Sequence, residues 1–204
     1  IVDPYSYKDR YTNIPKFIIN ATGDDFFVMD SIQYYTDVPG QTNIYYLPNT
    51  NHYLDYAYDA MVSALIPYYF AVLNNNSIPQ FTWQIESDGT INIHASQTPK
   101  SVKLWQAQNT TARDFRYVTI GPAWTSSTVT GDGSGHYSVS VSPPASGWKA
   151  YYAELIFNSP VSYIGYDYHF TTEMMVWPTY TPYEADLDKN TVTNINDLEI
   201  LARY

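Results

Sequence analysis

Lys16-Phe17-Ile18-Ile19-Asn20-Ala21, followed by Thr22-Gly23-Asp24-Asp25, decides how the first third of the chain is read. The apolar run is short and bounded by Pro15 and Gly23, as a buried strand of a parallel sheet would be. Working outward, Asn43-Ile44-Tyr45-Tyr46-Leu47 is a second such run, closed by Pro48-Asn49. Between them, Asp30 to Thr36 reads as a helix with Asp30 as N-cap, stopped by Pro39-Gly40. Beyond them, Tyr53 to Asn74 carries Tyr56, Ala60, Ala64, Leu65 and Tyr68 at helical spacing, with Pro67 expected to bend the helix. Strand, helix, strand, helix predicts a parallel sheet covered by helices over residues 1–76.

The period then changes to two. Thr82-Trp83-Gln84-Ile85-Glu86 and Thr90-Ile91-Asn92-Ile93-His94 flank Ser87-Asp88-Gly89 and predict a hairpin. Ser101 to Ala107 and His136 to Val141 alternate, Tyr151 to Phe157 is a further strand, and Tyr163 to Met175 reads as one more. Short strands at this spacing predict an immunoglobulin-like β-sandwich over 77–178. Residues 179–204 read as a linker flanked by Pro178 and Pro182, then an acidic loop, then an amphipathic helix from Leu198.

Composition narrows the function classes. Ten Lys plus Arg against twenty Asp plus Glu give a net charge of -10, which argues against a nucleic-acid partner and against anionic membranes. With no cysteine, disulfides, thiolate zinc sites and cysteine nucleophiles are excluded. The 22 tyrosines suit half-buried strands, or alternatively a wet sugar-binding face. The longest apolar stretch, Ala60 to Leu73, contains Ser63 and Pro67 and is too short to span a bilayer. The chain opens on Ile1-Val2 with neither Met nor a leader, and so reads as the interior of a longer protein.

Asp24 and His52 each follow a predicted strand, where sites form in open α/β sheets. Acid then histidine on successive strands is the order of the last two triad members in an α/β-hydrolase. The histidine is the general base there, and the acid fixes its tautomer. A turn carboxylate and a solvated loop histidine are the alternative. No serine here stands in a G-x-S-x-G context, so the nucleophile is expected upstream and the chain reads as the back half of the sheet. His94 and His136 read as solvated, and no two histidines stand at metal-ligand spacing. In the segment from Lys103 to Arg116, Leu104 and Trp105 are expected in the core, with Arg113–Asp114 as an interdomain or intrastrand pair.

Several longer motifs carry a resemblance. Asp3-Pro4-Tyr5-Ser6-Tyr7-Lys8-Asp9-Arg10, Ile18 through Phe27, Leu47-Pro48-Asn49-Thr50-Asn51-His52, Pro99 through Ala107, Asn109 through Arg116, and Gly147-Trp148-Lys149-Ala150 stand in order. Over roughly residues 1–178 the chain resembles the PhoPQ-activated pathogenicity-related protein family. The resemblance implies an α/β-hydrolase fold followed by a β-sandwich-like region, and export to the periplasm or the cell exterior. It implies peptidase- or esterase-like chemistry with Asp24 as triad acid and His52 as base. The fragment alone is expected to be inactive.

The acidic loop Asp186 to Asp197 spans twelve positions. Oxygen side chains fall at positions 1, 3, 5, 9 and 12 (Asp186, Asp188, Asn190, Asn194 and Asp197), with the Val192 carbonyl at 7, the spacing that wraps Ca²⁺. Thr191 stands where a glycine is expected. With Leu198 and the helix after it, the loop resembles one dockerin repeat, which implies a cohesin-like scaffold as partner. A solvated acidic linker is the alternative. Two functions therefore stand side by side: an exported serine hydrolase with a calcium-dependent docking tail, or a non-catalytic secreted binding, assembly or signalling protein that keeps the hydrolase fold.

Overall fold

The computed structural model describes residues 4–34, 37–159 and 165–178. After a 3-10 segment, Pro4–Tyr11, strand β1 (Lys16–Ala21) pairs in parallel with β2 (Thr42–Leu47), in register from Lys16 opposite Thr42 to Ala21 opposite Leu47. Lys16 anchors the start of this sheet. Its ammonium donates to the carbonyls of Tyr11, Ile14 and Pro39 at 3.0, 2.8 and 2.7 Å, which uses all three protons. The expected helix between the strands is a shorter 3-10 segment, Ser31–Tyr34, with Ile32 buried. Helix α1 (Tyr58–Leu73) starts later than the periodicity suggested and continues through Pro67, which has no N–H to offer the preceding turn.

β2 is buried on both faces, as its unbroken apolar run requires. Tyr45 and Leu47 cluster with Ala57 and with Ala64 of α1. Ile44 and Tyr46 point the other way and cluster with residues of the antiparallel region.

That region comprises β3 (Phe81–Ile85), β4 (Ile91–Ala95), β5 (Ser101–Asn109), a single helical turn α2 (Tyr117–Ile120), β6 (Thr125–Thr128), β7 (His136–Val139), β8 (Trp148–Phe157), β9 (Tyr168–Thr171) and β10 (Met175–Trp177). β3, β4 and β7 form one antiparallel sheet. β6, β5 and β8 form another, with β9 and β10 both on β8. The chain is thus β-rich, with a small parallel α/β unit followed by antiparallel sheets.

β8 is the centre of the molecule. Tyr151, Ala153, Leu155 and Phe157 face Ile91, Ile93 and Val139 of the smaller sheet, together with Tyr68 and Ala71 of α1. Ala150 and Tyr152 face the opposite way, toward Ile44, Tyr46, Phe115 and Trp124. Leu104 joins the first cluster, and Trp105 packs against the second.

Where the expected strand Tyr163 to Met175 falls on described residues, it is divided between β9 and β10. Between Thr171, opposite Glu154, and Met175, opposite Tyr151, the chain advances four residues while β8 advances three. The extra residue is a β-bulge separating β9 from β10. Thr172 repairs the ladder there: its N–H donates to the Ala153 carbonyl at 2.9 Å, and its hydroxyl accepts the Ala153 N–H at 3.1 Å.

Arg113 and Asp114 do not pair with each other. Arg113 reaches back to Asp30 of the α/β unit, and Asp114 takes Arg116, holding its carboxyl below the usual range. Adjacent residues in an extended loop point apart, so the two charges find different partners.

Candidate functional site

The site forms where β1 and β2 end together. Because the strands are parallel and in register, their following loops emerge side by side, one carrying Asp24 and the other His52. Backbone and side-chain bonds sew the two loops: Thr22 N–H to the Leu47 carbonyl, Gly23 N–H to the Thr50 carbonyl at 3.0 Å, and Asn49 N–H to the Thr22 hydroxyl at 3.1 Å. Gly23 is required by space, since a Cβ there would lie 2.7 Å from the Thr50 carbonyl oxygen and 2.7 Å from the Tyr117 nitrogen. The Tyr117 N–H donates to the Gly23 carbonyl at 2.9 Å, so the start of α2 braces the acid loop.

Asp24 is buried, at 9 % exposure, and its carboxylate is fully engaged. Oδ1 accepts the N–H groups of Phe26 and Phe27 at 2.7 and 2.8 Å, which curls the loop around the carboxylate. Both oxygens lie close to His52 Nδ1, Oδ1 at 3.1 Å and Oδ2 at 3.0 Å. A carboxylate only accepts, so Nδ1 carries the proton and a neutral ring presents a lone pair at Nε2. The ring is half-exposed and edged by Phe26, Phe27 and Tyr53, with centroids 5.4, 5.7 and 5.4 Å away. All three of those aromatic residues are exposed.

The histidine loop is also held by a segment 75 residues further along the chain. Asn49, at φ 58°, donates from Nδ2 to the Trp124 carbonyl and accepts the Trp124 N–H at Oδ1, each at 2.9 Å. This clasp and the aromatic edge were not legible from the sequence. The adjacent Phe26-Phe27 pair directly after a strand-end acid was the available signal for the edge. A cleft of about 630 Å³ lies elsewhere, lined by residues that include Val28, Asp30, Arg113 and Glu173, with neither Asp24 nor His52 in its wall.

The six expected calcium ligands, Asp186, Asp188, Asn190, Val192, Asn194 and Asp197, lie outside the described residues. Among the described residues, no group of three or more His, Asp or Glu side chains is placed to hold a metal. No helix among them is long and apolar enough to cross a membrane.

Residues 1–116, which include Asp24, His52 and the Asn109 to Arg116 loop, match the family model of PhoPQ-activated pathogenicity-related protein. The chain is also 31 % identical, over 214 aligned positions, to autocrine proliferation repressor protein A of Dictyostelium discoideum. That alignment covers 93 % of this chain and 43 % of the relative, so the chain spans less than half the length of the protein it matches. With the match covering more than half of its residues, the chain belongs to the PhoPQ-activated pathogenicity-related protein family.

Proposed function

We propose that this chain carries the acid and base of a hydrolase triad, Asp24 and His52, within a longer exported serine hydrolase of peptidase- or esterase-like chemistry. The observation that supports this most is the buried carboxylate engaging His52 Nδ1 at 3.0 Å while the ring stays half-exposed. That arrangement leaves Nε2 to take a proton from a nucleophile and return it to a leaving group. The position at the carboxyl ends of two adjacent parallel strands also favours it, as does the order acid then histidine. On this reading β1 and β2 belong to an α/β-hydrolase sheet, an immunoglobulin-like region follows, and the nucleophile and oxyanion donors come from the remainder of the longer protein. Residues 186–197 are the calcium-dependent docking segment, ligating Ca²⁺ through Asp186, Asp188, Asn190, the Val192 carbonyl, Asn194 and Asp197, and presenting the helix after it to a cohesin-like scaffold.

A second reading has one observation in its favour. The relative's name describes autocrine repression of proliferation, which suits a secreted signalling protein that keeps the fold without the chemistry.

The test uses the longer protein against a panel of activated esters and peptide amides. Loss of about 10³-fold or more in kcat for both Asp24→Asn and His52→Ala, with unchanged thermal unfolding, is expected. Hydrolysis unaffected by either substitution removes the triad assignment, and a folded wild type without hydrolysis favours signalling. Calorimetric titration with millimolar Ca²⁺ tests the tail: neither heat nor gain of helix overturns the docking segment.

A further inference from the structure

His94 and His136 stand 42 positions apart in the sequence, yet they face each other directly across β4 and β7. Both are solvent-exposed, as expected, but the register brings together two histidines that sequence spacing did not pair. Their rings stack with centroids 4.4 Å apart and planes inclined by 28°. Both lie on the outward face of the three-stranded sheet and both are exposed.

Their surroundings differ from those of the other two histidines. His52 and His169 each engage a carboxylate through Nδ1. No ring nitrogen of His94 or His136 has a hydrogen-bond partner among the described residues. The outward positions around them, Thr82, Gln84, Asn92 and Ser138, are uncharged, so none of these four repels a bound cation. Asp132, in the preceding turn, interacts electrostatically with His136. It accepts the Ser134 and His136 backbone N–H groups at 2.8 and 3.2 Å and adds negative potential beside the pair.

We propose that His94 and His136 form a two-imidazole chelate for a divalent transition ion of the zinc, nickel or copper type. Directly opposed residues of an antiparallel pair hold their Cβ atoms about 5 Å apart. Rotation about χ1 and χ2 from the stacked arrangement turns one nitrogen of each ring toward a shared ion about 2.0 to 2.1 Å from both. Borderline-soft ions select imidazole over the amide and hydroxyl oxygens that make up the rest of this face, whereas Ca²⁺ and Mg²⁺ do not. Two ligands fixed on a rigid ladder bind more tightly than two independent histidines, since the second coordination is intramolecular. Water completes the coordination shell.

The experiment is a ZnCl₂ titration of the protein by calorimetry, in millimolar Ca²⁺ so that oxygen-ligand sites on the acidic tail are already filled. Histidine side-chain NMR is recorded in parallel. Saturable binding of one Zn²⁺ per chain is expected, shifting the resonances of His94 and His136 together, and abolished in His94→Gln and in His136→Gln. Both substitutions sit on an exposed face and leave the core untouched. Absence of saturable binding, or binding that survives in the double variant, overturns the proposal. So does binding that shifts only one of the two rings.

Discussion

Asn49 and Trp124 clasp each other through two hydrogen bonds of 2.9 Å, side-chain amide to backbone peptide, across 75 residues of sequence. The clasp ties the loop that ends in His52 to the chain entering β6. Asn49 also holds a left-handed backbone, at φ 58°, which asparagine tolerates better than other non-glycine residues. Asn49→Ala loses both bonds and adds backbone strain, for an expected cost of about 3 kcal/mol in denaturant unfolding. Asn49→Gly loses the bonds but relieves the strain, and should recover about 1 kcal/mol of that. Equal losses in the two variants would show that the backbone conformation contributes nothing.

The Asp24 carboxylate specifies which nitrogen of His52 carries a proton. Nitrogen NMR of the neutral side chain should show the Nδ1–H tautomer in the wild type. In Asp24→Asn the amide can flip to present its NH₂ to the ring, and the population should move toward Nε2–H. A tautomer ratio unchanged by the substitution would break the link between this contact and the ring's protonation pattern. The readout requires no knowledge of a substrate.

Glu154 is buried at the centre of β8, where it accepts from Trp105 Nε1 at 2.7 Å and lies 2.7 Å from His169 Nδ1. Burial pushes its carboxyl up, but the hydrogen bonds from His169 and Trp105 and the charges of His169 and Lys103 outweigh burial, so its pKa lies below the ordinary value of 4.5. A depressed native pKa means the unfolded chain binds the proton more readily. The stabilisation is therefore complete above the ordinary value and is lost as pH falls through the native one. Glu154→Gln should cost about 3 kcal/mol near neutrality, and the gap between variant and wild type should narrow as pH falls below 4.5. Urea unfolding across that range measures the gap, and a pH-independent difference would contradict the coupling.

Local signals were legible in the sequence where local physics decides. The apolar runs ending at Ala21 and Leu47 form the parallel pair, and the Asp88-Gly89 turn closes the expected hairpin. Asp24 and His52 could be singled out because strand ends are where loops converge. What stayed hidden depends on register between distant segments. β6 consists of Thr125-Ser126-Ser127-Thr128, all exposed, and has no alternation to read. The partner of Arg113 is Asp30, 83 residues away, and His94 meets His136 only because β4 and β7 align at that register. The bulge at Thr172 to Met174 similarly follows from how β9 and β10 share one neighbour.

That dependence on distant contacts is sharpest at Gly89, which a sequence reading assigns to a turn and nothing more. Its φ of +82° already disfavours a side chain, and an added Cβ would lie 2.6 Å from the Tyr151 hydroxyl and 3.1 Å from the Trp177 ring. The same hydroxyl donates to the Gly89 carbonyl at 2.8 Å in a buried setting, where burial raises its pKa to about 12. Gly89→Ala should therefore cost about 3 kcal/mol, from left-handed strain plus overpacking. Tyr151→Phe should cost about 1 kcal/mol for the lost bond. The two effects share one oxygen atom: once the hydroxyl is gone, the alanine methyl meets less. The double variant should then lose less than the sum of the singles, by at least about 0.5 kcal/mol in urea unfolding. Strict additivity would mean that the hairpin turn moves away from β8 to accommodate the methyl, and that the contact between turn and central strand is not what restricts this position to glycine.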